Sequence, residues 1–100
     1  MDSGFEQLSV DFNVQAQKLF MSTYENFRMC TRKLDRQGDE NVFQLQVEKY
    51  MTTLKLQLES VAHELLKKYK GIKNIDHCNN LLTDKISIYL REFRQKARLL

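Results

Sequence analysis

The sequence contains no proline and no tryptophan, and only three of its 100 residues are glycine. Tight turns and β-hairpins draw on Pro and Gly for their special backbone angles, so this poverty excludes an all-β domain and a loop-rich enzyme domain. Long apolar runs are missing too, and none approaches the ~18 residues that cross a bilayer. The opening Met1, Asp2, Ser3, Gly4 has neither the basic start nor the apolar stretch of a secretion signal. Cysteine is scarce, with Cys30 and Cys78 at no paired spacing, which fits reduced thiols. The expectation is an intracellular chain, cytoplasmic or nuclear, neither secreted nor transmembrane. What remains is 42% hydrophobic and 29% charged, a composition that folds, and its length allows a single domain over 1–100.

The hydrophobic positions carry a helical period. From Phe5 they run Leu8, Phe12, Ala16, Leu19, Thr23, Phe27, Cys30, Leu34, in steps of three and four with only Thr23 polar. A second stripe runs Phe43, Val47, Tyr50, Leu54, Leu58, Val61, Leu65, Tyr69, Ile72, and a third Ile75, Cys78, Leu82, Ile86, Tyr89, Phe93, Ala97, Leu100. These steps close on eleven residues, about 3.67 per turn, near the period of a straight helix. The pattern predicts an all-α fold: an elongated three-helix bundle of antiparallel hairpin type, or a coiled coil, with eleven-residue periodicity.

Boundary chemistry places helix 1 at about 4–37, helix 2 at about 40–70 and helix 3 at about 76–100. Ser3 and Glu6 have the spacing of a capping box. Gly38 suits a helix stop after Arg32, Lys33 and Arg36, and Gly71 another after Lys67, Lys68 and Lys70, with Ile72 beyond it for the apolar contact. Asp39 and Glu40 suit the start of helix 2, and Asn74 or Asp76 that of helix 3. The alternative at the first junction is one continuous helix through Gly38, since one glycine costs only ~1 kcal/mol inside a helix.

The stripes do not use all the apolar residues. Helix 1 also carries Val10, Val14, Phe20, Met21, Tyr24 and Met29; helix 2 carries Val42, Leu45, Met51, Leu56 and Leu66; helix 3 carries Leu81, Ile88, Leu90 and Leu99. A monomeric bundle consumes this surplus, or other helical subunits, copies or different chains, cover it. The expected core and assembly residues are Phe12, Leu19, Phe27, Tyr50, Leu54, Leu58, Val61, Leu65, Leu82, Ile86, Tyr89 and Phe93, with the stripe of helix 2 at the centre.

Reactive chemistry is sparse. Cys30, His63, His77 and Cys78 are scattered, without Cys-x-x-Cys or His-x-x-x-His spacing, so the cysteines are expected in the core and no metal is expected. No Gly-rich phosphate loop or nucleophile motif accompanies them, so the chain reads as neither an enzyme nor a binder of cofactor or small-molecule substrate. Charge is blocky: residues 1–27 carry one positive and four negative side chains, residues 28–36 four positive and one negative. An antiparallel bundle gathers Arg28, Arg32, Lys33, Arg36, Arg91, Arg94, Lys96 and Arg98 at one pole. Arg91, Arg94 and Arg98 share a face there and are the candidate contacts for nucleic acid or anionic membrane; helix-dipole complementation accounts for the same residues.

The stretch Glu48 to Leu82 resembles the small helical subunits of the lysosome-related organelle biogenesis complex and its lysosome-positioning relative. Those carry a helix ending in Lys-Tyr-x-Gly-hydrophobic before another amphipathic helix; here the segment is Lys68, Tyr69, Lys70, Gly71, Ile72, followed by Ile75 and Asp76. Small subunits of kinetochore linker complexes are similar through Tyr24, Phe27, Cys30 and through Glu48, Lys49, Tyr50. Both resemblances imply a non-catalytic helical subunit of a rod-shaped hetero-oligomer.

Overall fold

The computed structural model describes residues 3–34, 38–69 and 75–99. Arg36, Lys70, Gly71, Ile72, Asn74 and Leu100, and the side chains of Ser3, Phe5 and Ile75, lie outside the described residues, so the proposed Ser3 cap and the Gly71 stop do too. Among the described residues three helices form the fold: α1 Ser3–Thr31, α2 Glu40–Lys68 and α3 Ile75–Arg98. No strand occurs among the described residues.

The helices run up, down and up. Phe27 near the end of α1 meets Phe43 and Tyr50 near the start of α2, and Asp11 meets Tyr69 at the other end, so α1 and α2 are antiparallel. Glu48 pairs with Arg94, so the start of α2 lies beside the end of α3. Phe12 faces Tyr89 and Phe20 faces Phe93, which makes α1 and α3 parallel. The rod measures 54 × 19 × 18 Å with a radius of gyration of 16.0 Å, well above the ~13 Å of a compact 100-residue domain.

α1 stops at Thr31, well short of residue 37. The Arg32 N–H still donates to the Arg28 carbonyl, but Leu34 donates to Thr31, three residues back, at 3.0 Å, and this tighter bond turns the chain out of the helix. Gly38 then lies in a turn, so α1 and α2 are not one continuous helix. At the start of α2 the Asp39 carbonyl accepts from Phe43 N–H at 2.8 Å, and the Asp39 side chain makes no cap bond. Glu40 and Asp76 sit in first turns and Lys67, Lys68, Lys96 and Arg98 in last turns, where each offsets the dipole.

The core follows the eleven-residue period. Buried pairs at that spacing are Phe12 with Thr23, Ala16 with Phe27, Phe20 with Thr31, Phe43 with Leu54 and Leu65, Val47 with Leu58, Leu82 with Phe93, and Ile86 with Ala97. Two positions on α1 depart from the expected stripe. Phe20 is buried where Leu19 is only half-buried, and Thr31 is buried where Cys30 is exposed. The expectation that both cysteines pack in the core is therefore corrected for Cys30 and holds for Cys78. Thr31 enters the core at little cost because its hydroxyl donates to the Phe27 carbonyl of the preceding turn at 2.8 Å.

Candidate functional site

Of the twelve expected core and assembly residues, Phe12, Phe27, Leu54, Leu58, Leu65, Leu82, Ile86 and Phe93 are buried, and Leu19, Tyr50, Val61 and Tyr89 are half-buried against them. They hold this bundle together. The centre of the helix 2 stripe, with Leu54 and Leu58 both 0% exposed, faces α1 and α3 and is not an outward surface. Of the surplus, Phe20, Tyr24, Met51, Leu66 and Leu90 are also drawn into or against the core.

Each seam has its own chemistry. Between α1 and α3 stand rings: Phe20 and Tyr24 of α1 lie about 6 Å from Tyr89 and Phe93 of α3, several of them edge to face. Lys96 caps this stack, its Nζ 5.5 and 5.4 Å from the Phe20 and Tyr24 ring centres. Such bulk holds the two backbones apart, and a groove of about 230 Å³ opens over the seam, lined by Asn13, Gln17, Lys85, Ile88, Tyr89 and Glu92. Burial raises the Tyr89 hydroxyl above its ordinary pKa, with the Glu92 charge adding to it. A smaller groove of about 180 Å³ between α2 and α3 is lined in part by Ala62, His63, Leu82 and Ile86.

The α1–α2 seam carries polar ties at both ends. Tyr69 donates to the Asp11 carboxylate, Gln7 donates to the same group at 3.0 Å, and the Lys68 ammonium stands 3.8 Å from it. The Tyr69 bond holds the Asp11 carboxyl below the usual range, against the opposing pull of partial desolvation, and in turn raises the Tyr69 hydroxyl. At the other end the Cys30 thiol and the Tyr50 hydroxyl are 2.8 Å apart, a contact that raises Tyr50. No spacing rule links Asp11 to Tyr69 or Glu48 to Arg94; only the register of the folded hairpin brings them together.

The basic pole exists but is partly occupied. Arg94 pairs with Glu48 at 3.0 Å, Arg28 with Glu25 at 3.3 Å, and Lys96 lies over rings. Of the candidate polyanion contacts, Arg91 is exposed, and Arg94 and Arg98 line a small groove with Phe43, Val47 and Ala97. Among the described residues, no group of three or more His, Cys, Asp or Glu side chains is placed to hold a metal ion, and no helix is long and apolar enough to cross a membrane. No protein-family model, no curated protein and no solved structure matches the chain.

Proposed function

We propose that the chain is a non-catalytic helical scaffold or adaptor subunit that assembles by helix packing with other helical subunits. One observation carries this reading: α1 and α2 each keep an outward apolar pair at the same eleven-residue spacing as the core, and α3 keeps Ile88 outward, with Leu99 eleven residues on in the turn just past its end. The pairs are Val10 with Met21 and Leu45 with Leu56, from 54% to 69% exposed, and Ile88 is 48% exposed. Apolar side chains scattered singly over a surface are ordinary. An outward apolar surface on every helix, in an eleven-residue register on α1 and α2 and outside a core that is already closed, is what a helix meeting further helices requires.

The Lys68 to Ile72 resemblance favours a complex of the lysosome-related organelle or lysosome-positioning kind, in the cytoplasm, and two cysteines not joined in a disulfide, exposed Cys30 and buried Cys78, suit that compartment. The alternative from Tyr24, Phe27, Cys30 and Glu48 to Tyr50 is a kinetochore-associated subunit. Co-purification from the native source followed by mass spectrometry tests both: organelle-complex subunits, kinetochore subunits or neither will be recovered with the chain. A stable folded monomer without helical partners overturns the proposal. A nucleic-acid or membrane module predicts instead a salt-dependent association weakened by charge reversal at Arg91, Arg94 and Arg98; the Glu48 partner of Arg94 and the ring stack under Lys96 speak against it.

A further inference from the structure

We infer that the face made by α1 and α3 pairs antiparallel with the same face of a second copy of this chain, about a two-fold axis at the level of Gln17 and Ile88. The inference deepens the assembly reading above and rests on it, naming one partner and one surface.

The first ground is where the apolar residues lie. Val14 and Met21 flank Gln17 at i−3 and i+4, and Gln17 and Ile88 line the same groove. Val14, Met21 and Ile88 are 49%, 54% and 48% exposed. They lie near the midpoint of the rod rather than at either pole, so an antiparallel copy sets apolar centre on apolar centre.

The second ground is charge. On α1, Glu6, Gln17 and Arg28 are exposed and eleven residues apart, and therefore lie on one line with opposite charges equally far from Gln17. On α3, exposed Asp84 and Arg91 bracket Ile88 at i−4 and i+3. Lys85 and Glu92, both in the groove, bracket it at i−3 and i+4. A two-fold at this level carries each of these groups onto its opposite: Glu6 to Arg28, Asp84 to Arg91, Lys85 to Glu92. A parallel arrangement stacks like on like. Isologous contacts need this self-complementarity, with the charges fixing orientation and the apolar centre supplying most of the affinity. Neither existing contact removes it. Arg28 shares only an exposed pair with Glu25, and Lys85 donates to the neutral amide of Asn13 at 3.4 Å. A face 54 Å long and 19 Å wide also offers the ~800 Å² per partner of a standard interface.

Sedimentation of the full chain across a concentration series, with circular dichroism as the folding control, tests this. The expected result is a monomer–dimer equilibrium that Ile88→Asp shifts to monomer at unchanged helicity, since that residue is half in solvent in the single chain. Arg91→Asp or Asp84→Arg alone should each weaken dimerisation about tenfold or more, because each puts two like-charge contacts in the dimer, and the double exchange should restore it. A monomer at every concentration up to about 1 mM, or a dimer that survives Ile88→Asp and breaks with Leu45→Asp or Leu56→Asp, overturns the inference. Other helical subunits recovered from the native source beside a monomeric isolated chain would defeat it and leave the broader assembly function standing. A dimer with no other subunit would bear the inference out and narrow the assembly to copies of this chain.

Discussion

Phe27 shows how much one side chain decides. Its ring lies 5.5 Å from Phe43, 5.7 Å from Tyr50 and 5.4 Å from Phe93, so it joins all three helices at one level. Phe27→Ala should cost about 3 to 5 kcal/mol, measured by urea denaturation, because three rings lose their common partner and no neighbour can fill the void. Leu58, also fully buried, should cost about 2 to 5 kcal/mol as Leu58→Ala, and Leu58→Asp should leave the chain unfolded. Lys55→Asp and Glu59→Lys, on the exposed side of the same helix, should stay within about 0.5 kcal/mol. If Leu58→Asp melts like the parent, the register of α2 is wrong. The cysteines separate in the same way: a thiol reagent should modify exposed Cys30 in the folded chain and reach buried Cys78 only on unfolding.

The choice between Cys30 and Thr31 marks where the sequence stops being legible at the scale of the element. Three helices and the eleven-residue core follow from periodicity and glycine placement, whereas the first junction is open in the sequence between a turn and one continuous helix through Gly38, and the bond from Leu34 N–H to the Thr31 carbonyl decides for the turn. Adjacent eleven-residue lines on α1 are Leu19 with Cys30 and Phe20 with Thr31, and hydrophobicity favours the first. The fold takes the second because the Phe20 ring meets Tyr89 and Phe93 of α3, and because Thr31 satisfies its hydroxyl within its own helix. Both reasons depend on a neighbour or on a rotamer, neither of which a one-dimensional pattern contains. The tie of Asp11 to Tyr69 is likewise invisible in sequence and makes a pH prediction. Asp11 has a folded pKa below its ordinary ~3.9, so its contribution is complete above that value and is lost as acid protonates the carboxylate. Tyr69 has a folded pKa above its ordinary ~10, so its contribution is complete below that value and is lost as the phenol ionises. The melting temperature of the parent should therefore fall more steeply with acid than that of Asp11→Asn. In Tyr69→Phe, an NMR titration should find the Asp11 carboxyl moved up towards its ordinary value; no movement would place the cause elsewhere.

The dimensions of the whole molecule follow from the lengths of its helices. Helices of 29 residues at ~1.5 Å per residue reach about 44 Å, and two chain reversals fold them into a 54 Å rod. With α1 and α3 parallel, the ends of α1 and α3 share a pole with the start of α2. The cationic end of α1 lies at the same pole as Arg91, Arg94 and Arg98, which leaves Glu6, Asp76 and Asp84 towards the other half. Side-by-side antiparallel pairing of two such rods thickens the particle without lengthening it, whereas end-to-end pairing of opposite poles roughly doubles its length. Small-angle scattering separates these outcomes. The monomeric Ile88→Asp chain should give a radius of gyration near the 16.0 Å of the single rod. The parent at high concentration should show a larger cross-section at nearly the same maximum dimension. A value near the ~13 Å of a compact domain would contradict the fold, and a doubled maximum dimension in the parent would contradict the two-fold at Gln17 and Ile88 while leaving the three-helix rod intact.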